Sequence, residues 1–148
     1  MELIAEMSSW TEAVALLTAK TVALDHATRE GVLLMAHRTE AATKRTLATS
    51  SHGRRTPTPS NPGEPPSMIS GNLMRSIAVQ GPVGLAGAWE ASVGPTAVYG
   101  RIQELGGRTG RGHRTTLPPR PYLEPSWESV RVELVAIMAG VWRRALEV

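Results

Sequence analysis

The chain has no cysteine, which excludes a disulfide framework and any thiolate metal site. Phenylalanine is also absent and aromatics make up 4% of the 148 residues, so a core must be assembled from Leu, Val, Ile, Met and Ala, with four Trp as the large pieces. With 41% apolar residues, that core is thin for an isolated subunit, and burial against other subunits would complete it. No apolar run approaches the ~20 residues that span a bilayer. Glu2 and Glu6 stand where a secretion signal carries basic residues, so neither a secretion signal nor a membrane partner is expected. Acidic residues are missing between Glu104 and Glu124, where Arg108, Arg111, Arg114, Arg120 and His113 gather, although the net charge is only +3. That excess is mild for a dedicated nucleic-acid binder, and its placement says more than its size.

The length fits a single domain over residues 1–148. Leu3, Met7, Trp10, Val14, Leu17, Thr21 and Leu24 recur at spacings of four and three, the pattern of a helix with one apolar seam. Ser9 and Glu12 match a capping box, which predicts a short first helix followed by a long one from near Trp10. No proline precedes Pro57 and Gly31 is the only weak point, so the long helix is expected to reach Ala48, a span of about 55 Å. A helix longer than a small domain is wide needs support from outside that domain.

Residues 49–67 form a proline-rich loop, with Pro57, Pro59, Pro62, Pro65 and Pro66 among Ser, Thr and Gly. Ser70 is the expected N-cap of a helical turn over 71–75, which feeds a strand at 76–80. Residues 81–87 read as a glycine-rich connection, and 88–93 as the return strand, where Trp89, Ala91 and Val93 alternate. Two strands alone are marginal, so this ribbon needs a helix across one face. In the stretch 92–107, Gly94-Pro95 predicts a tight turn, and Val98, Ile102 and Leu105 share one face of a short helix. Gly106 then stops that helix in the left-handed conformation.

Residues 106–117 are expected to be a polar basic loop. Pro118, Pro119 and Pro121 keep the following segment extended, and Pro125 opens the last helix, over 126–146. On that helix Val130, Leu134, Ile137 and Val141 form one apolar line; Val135, Met138, Trp142 and Leu146 form a second. Two lines cover more than the ~100° stripe one core contact requires, so the helix is expected to meet both its own sheet and a neighbouring subunit.

Groups that carry chemistry are sparse. Gly81, Gly84 and Gly87 match neither a dinucleotide fingerprint nor a phosphate loop. His26, His37, His52 and His113 form no metal-binding pair, and no Ser sits in a nucleophile elbow. Glu104 is the lone carboxylate of the central stretch and has no acid–base partner in sequence. No catalytic residue, cofactor or metal is therefore expected. The tract from Gly107 to Arg114 has the composition of an Arg-Gly segment able to hold phosphates through Arg108, Arg111 and Arg114, without interleaved aromatics to stack bases. A small basic nucleic-acid-binding module is the alternative reading it supports.

Three blocks follow one another along the chain. They are Pro62-Gly63-Glu64-Pro65-Pro66 ahead of Ser70-Gly71-Asn72-Leu73-Met74-Arg75-Ser76-Ile77; Val93-Gly94-Pro95 with Tyr99-Gly100 and Glu104-Leu105-Gly106-Gly107; and Pro118-Pro119-Arg120-Pro121-Tyr122-Leu123-Glu124-Pro125. Together they resemble the neck family of tailed bacteriophages, whose members are called head-tail connector, head-tail joining, tail-completion or minor tail proteins. The resemblance covers residues 62–144. It implies an α+β subunit with a long N-terminal helix, a small antiparallel sheet with a short helix, and a C-terminal helix, repeated in a ring of about six or twelve copies between capsid and tail.

The same resemblance implies no reaction and no cofactor. Its implied partners are other neck, portal-adaptor and tail proteins, with DNA passing through the channel, and its implied location is the virion, reached by way of the host cytoplasm during assembly. Trp127, Leu134, Met138, Trp142, Tyr99 and Tyr122 are the expected subunit-interface residues. Arg108, Arg111 and Arg114 are the expected DNA or inter-subunit loop contacts, although the basic tract is not part of the family motif.

Overall fold

The computed structural model describes residues 2–55, 60–85 and 87–147, with the side chains of residues 2–7 and 85 outside that description. Leu3 and Met7, at the start of the expected seam, and Pro57, Pro59 and Ala86 therefore lie outside what is described. The architecture is α+β. Helix α1 (Glu2–Leu47) carries an antiparallel ribbon, β1 (Ile77–Leu85) with β2 (Ala88–Pro95), and two C-terminal helices, α4 (Leu123–Arg131) and α5 (Leu134–Leu146). Short helices α2 (Asn72–Ser76) and α3 (Gly100–Leu105) flank the ribbon, and a small hairpin pairs β3 (Gly107–Thr109) with β4 (Thr115–Leu117).

Helix α1 is continuous, so the break expected at Ser9 does not occur. Residues 2–7 are mostly strong helix formers, and a helix already running through Ser9 leaves no orphan N–H there to cap. Its 46 residues make it about 69 Å long. The C-terminal half presents small side chains to the body: Ala27, Ala36, Thr39, Ala42 and Thr43 are buried beside Met35 and Leu47. Thr39 and Thr43 donate their hydroxyls to the carbonyls four residues back, at 2.9 and 2.7 Å, so neither buried hydroxyl lacks a partner. Gly31 lets α5 pack closely on α1, since a Cβ there would lie 2.6 Å from Met138 Sδ.

The single last helix expected over 126–146 is two helices. It starts earlier, at Leu123, and breaks at residues 132–133 without a proline or glycine. There Glu133 N–H closes a tight turn onto the Val130 carbonyl at 2.9 Å, while its carboxylate pairs with Arg38 of α1. The turn lets both segments follow the long helix, so Val130 and Val141 are buried on either side of it. Pro125 is the third residue of α4 rather than the first, still within the turn whose N–H groups have no helical partner.

The ribbon is longer than expected, because most of residues 81–87 is strand. Gly81, at φ +97°, marks a bulge where the pairing register shifts between Gln80 and Val83. A Cβ there would sit 2.8 Å from the Glu90 carbonyl oxygen. Trp89 fastens β2 to α1: its indole donates to Asp25 at 2.8 Å, and the Arg29 guanidinium lies 5.8 Å from its ring centroid.

Two smaller expectations are also corrected. Gly71, at φ +72°, occupies the N-cap of α2 in place of Ser70, and Arg75 closes that turn by donating to the Ser70 carbonyl (2.8 Å) and Asn72 Oδ1 (2.7 Å). The basic loop of 106–117 is largely the β3–β4 hairpin, whose tip passes through positive φ at Gly110, Gly112 and His113.

The core has two parts. Met35, Ala42 and Val130, with Ile137 against them, join α1 to the C-terminal helices. Leu47, Ile77 and Tyr122, surrounded by Leu73, Met74, Val93 and Leu123, form the second where the three sequence blocks converge.

Candidate functional site

The convergence point is built around α3. Pro95 packs so closely on Gly100 that a Cβ there would lie 2.3 Å from the proline ring, which explains the glycine after Tyr99. The segment 118–122 then crosses α3. Arg120 N–H donates to the Gln103 carbonyl at 2.8 Å, and the Tyr122 hydroxyl donates to the Gly100 carbonyl at 3.1 Å.

Glu104 completes the junction. Its carboxylate accepts the backbone N–H groups of Tyr122 (2.8 Å), Leu123 (3.0 Å) and Glu124 (2.9 Å) at the start of α4. The next residue, Pro125, has no N–H to satisfy. One side chain from a neighbouring element thus supplies the cap that α4 lacks from its own sequence, with the negative charge at the favourable end of the helix. Glu104, the lone carboxylate of the central stretch, is therefore a structural clamp.

Tyr122 is expected from sequence at a subunit interface, but it is 1% exposed and belongs to the core of its own subunit. Gly106 departs from expectation as well. Its φ is +68° but its ψ is extended, so it is not a left-handed cap; it lets the backbone at Pro119 approach to 2.7 Å of where a Cβ would be. Val98, expected on the apolar face of α3, precedes that helix and is 98% exposed.

Burial, followed by the nearby Glu104 charge and Tyr99, raises the Tyr122 phenol far above its ordinary value of 10.0. The unfolded chain ionises this group near pH 10, while the folded chain holds it neutral. Its contribution to stability is thus complete below about pH 10 and is lost as the pH rises beyond that. Alkaline denaturation followed by circular dichroism should show this, and Tyr122→Phe should remove the part of the alkaline loss that this phenol causes.

Three of the expected interface residues meet in one place. Trp127, Leu134 and Met138 line an apolar groove of 750 Å³ with Val32, Met35, Trp89 and Leu123, between α1, the ribbon and the C-terminal helices. The other two exposed ones stand apart: Trp142 donates its indole N–H to Thr28 Oγ1 at 2.9 Å, and Tyr99 lines a separate recess beside α2. Sequence reasoning missed Val32, Met35, Trp89 and Leu123 as groove residues, because α1 and the ribbon each show only their own periodicity.

The start of α1, beyond residue 7, is the part of the long helix that the rest of the subunit leaves uncovered. Lys20 reaches the Leu146 carbonyl at 2.9 Å, and that contact marks the end of the body along α1. Residues 8–19 are all exposed, although Trp10, Val14 and Leu17 share one apolar face. They are 73%, 57% and 67% exposed. The signal was present in the sequence as a seam longer than any small body could cover.

Arg108, Arg111 and Arg114 lie together on the β3–β4 hairpin, where the Arg108 side chain donates to the His113 carbonyl at 3.0 Å. Among the described residues, no cluster of His, Asp and Glu is able to hold a metal ion, and no helix is long and apolar enough to cross a membrane. No protein-family model, curated protein or solved structure matches this chain.

Proposed function

We propose that this chain is a structural subunit of a tailed-phage neck, a head-tail connector or tail-completion ring component that joins the portal complex of the capsid to the tail and catalyses no reaction. One observation carries the self-association at its centre: the subunit has two uncovered apolar surfaces that it cannot bring together itself. Leu17, at the inner end of the projecting face, and Val32, at the near edge of the groove, are separated along one uninterrupted helix by about 22 Å. Seating the arm in its own groove would require breaking α1. Seating it in the groove of the next copy joins two different surfaces, a heterologous contact that closes into a ring when the rotation per subunit permits.

The phage assignment is supported by the resemblance of the three sequence blocks and by their meeting at a single junction. There, Leu73 and Ile77 of the first surround Tyr122 of the third, and Glu104 of the second caps the helix that follows. In this reading the hairpin bearing Arg108, Arg111 and Arg114 is the part suited to the phosphate backbone of passing DNA. Native mass measurement of the full chain over rising concentration should find one discrete closed assembly of about six or twelve copies. A folded monomer at high concentration, inert toward phage particle components, would contradict the reading.

A further inference from the structure

We propose that the recess beneath Arg120 is a binding site for a peptide carboxylate, an assignment independent of the ring. Arg120 is 8% exposed, yet among the described residues no carboxylate lies within ion-pair distance of it. Its Nε donates to the Ser60 carbonyl at 3.1 Å, and its backbone N–H is used on Gln103. The two terminal nitrogens of the guanidinium have no hydrogen-bond acceptor among the described residues. Residues 56–59, next to Ser60 in sequence, are Thr and Pro and bring no acid. No buried side-chain nitrogen or oxygen lacks a partner among the described residues, so these two nitrogens open to solvent, where an anion entering from outside can reach them.

The surroundings suit such an anion. The recess has a volume of 320 Å³, and no aspartate or glutamate lines it. The Gln103 amide and the Tyr99 hydroxyl both line it and have no hydrogen-bond partner among the described residues. Asn72 spends its oxygen on Arg75 and so keeps its amide N–H groups as donors. Uncommitted donors thus stand beside the guanidinium with no carboxylate among them, an arrangement able to receive an oxyanion.

The choice of carboxylate over phosphate rests on shape and on the remaining lining. With Nε occupied, the end of the guanidinium offers its paired N–H groups in a plane, which matches a planar carboxylate. Leu47 and Leu73 form apolar walls suited to the body of a peptide residue, and poorly suited to the hydrated phosphates of a convex duplex.

Saturation-transfer NMR on the full chain tests this with N-acetylleucine, which has an apolar body and a carboxylate, against N-acetylleucinamide, which lacks the charge. Saturable binding of the acid, at least about tenfold tighter than the amide, is expected. Arg120→Lys keeps the charge but loses the fork, and should weaken the acid at least about tenfold with the circular dichroism spectrum unchanged. Should that variant misfold, Gln103→Leu, which leaves Arg120 in place, should still weaken the acid severalfold. N-acetylglutamic acid α-amide presents the side-chain carboxylate instead of the chain-terminal one, and the tighter of the two acids identifies the source. Equal binding of acid and amide, or acid binding undiminished in folded Arg120→Lys or Gln103→Leu, would overturn the assignment. So would a site that takes a short DNA duplex but neither acid.

Discussion

Glu104→Ala is expected to lower folding stability by about 2–4 kcal/mol, because three charge-assisted hydrogen bonds end on this one carboxylate and are lost together. The three N–H groups belong to a partly buried helix start, and no side chain of α4 itself is placed to receive them. Glu104→Gln keeps a single acceptor oxygen and removes the charge, so it should fall between the wild type and the alanine variant. Glu124→Gln, on the exposed side of the same turn, loses no such bond and should lie within about 0.5 kcal/mol of the wild type. Urea denaturation of the three variants makes the comparison. Near-equal midpoints for Glu104→Ala and Glu124→Gln would show that the junction does not depend on the clamp.

The second large effect concerns assembly. Replacing Trp10, Val14 and Leu17 together with Glu should leave the subunit folded, since all three side chains are exposed and lie beyond the Lys20 contact. Glu is a good helix former, so helicity at 222 nm should be retained. Burying three carboxylates in an apolar groove without partners is prohibitive, so the variant should remain monomeric at concentrations where the unaltered chain is expected to associate. Association at unchanged concentration would remove the arm from the account.

The sequence made the extended elements legible because their periodicities are strong. The seam through Trp10, Val14 and Leu17 and the alternation at Trp89, Ala91 and Val93 each predicted an element of the right type. Local motifs misled where the chain is read by tertiary contacts. The capping box at Ser9 is spelled correctly but sits inside a helix whose start lies upstream. The break between α4 and α5 carries no proline or glycine, because it is imposed by both segments packing on α1.

Glycines were the other source of error. Gly81 reads as a turn residue, but it serves a bulge within a continuing strand; the glycines of 106–112 read as a loop, but they shape a hairpin. At the junction, Glu104 and Tyr122 stand 18 residues apart, so no periodicity links the carboxylate to the N–H groups it receives. Tyr122 shows the same limit from the opposite side. An aromatic among prolines looks like an exposed anchor until the Gly100 carbonyl is seen to accept its hydroxyl hydrogen bond.

The central claim, that one copy's arm occupies the next copy's groove, is tested most directly by mixing two variants that are each unable to assemble. One carries Glu at Trp10, Val14 and Leu17 and retains its groove; the other carries Leu134→Asp with Trp127→Asp, both exposed groove residues, and retains its arm. Sedimentation velocity should find each monomeric alone and the mixture held at one-to-one dimers, because a single intact arm meets a single intact groove and no further contact is available. Restoration of the full assembly in the mixture, or of no complex at all, would contradict the account.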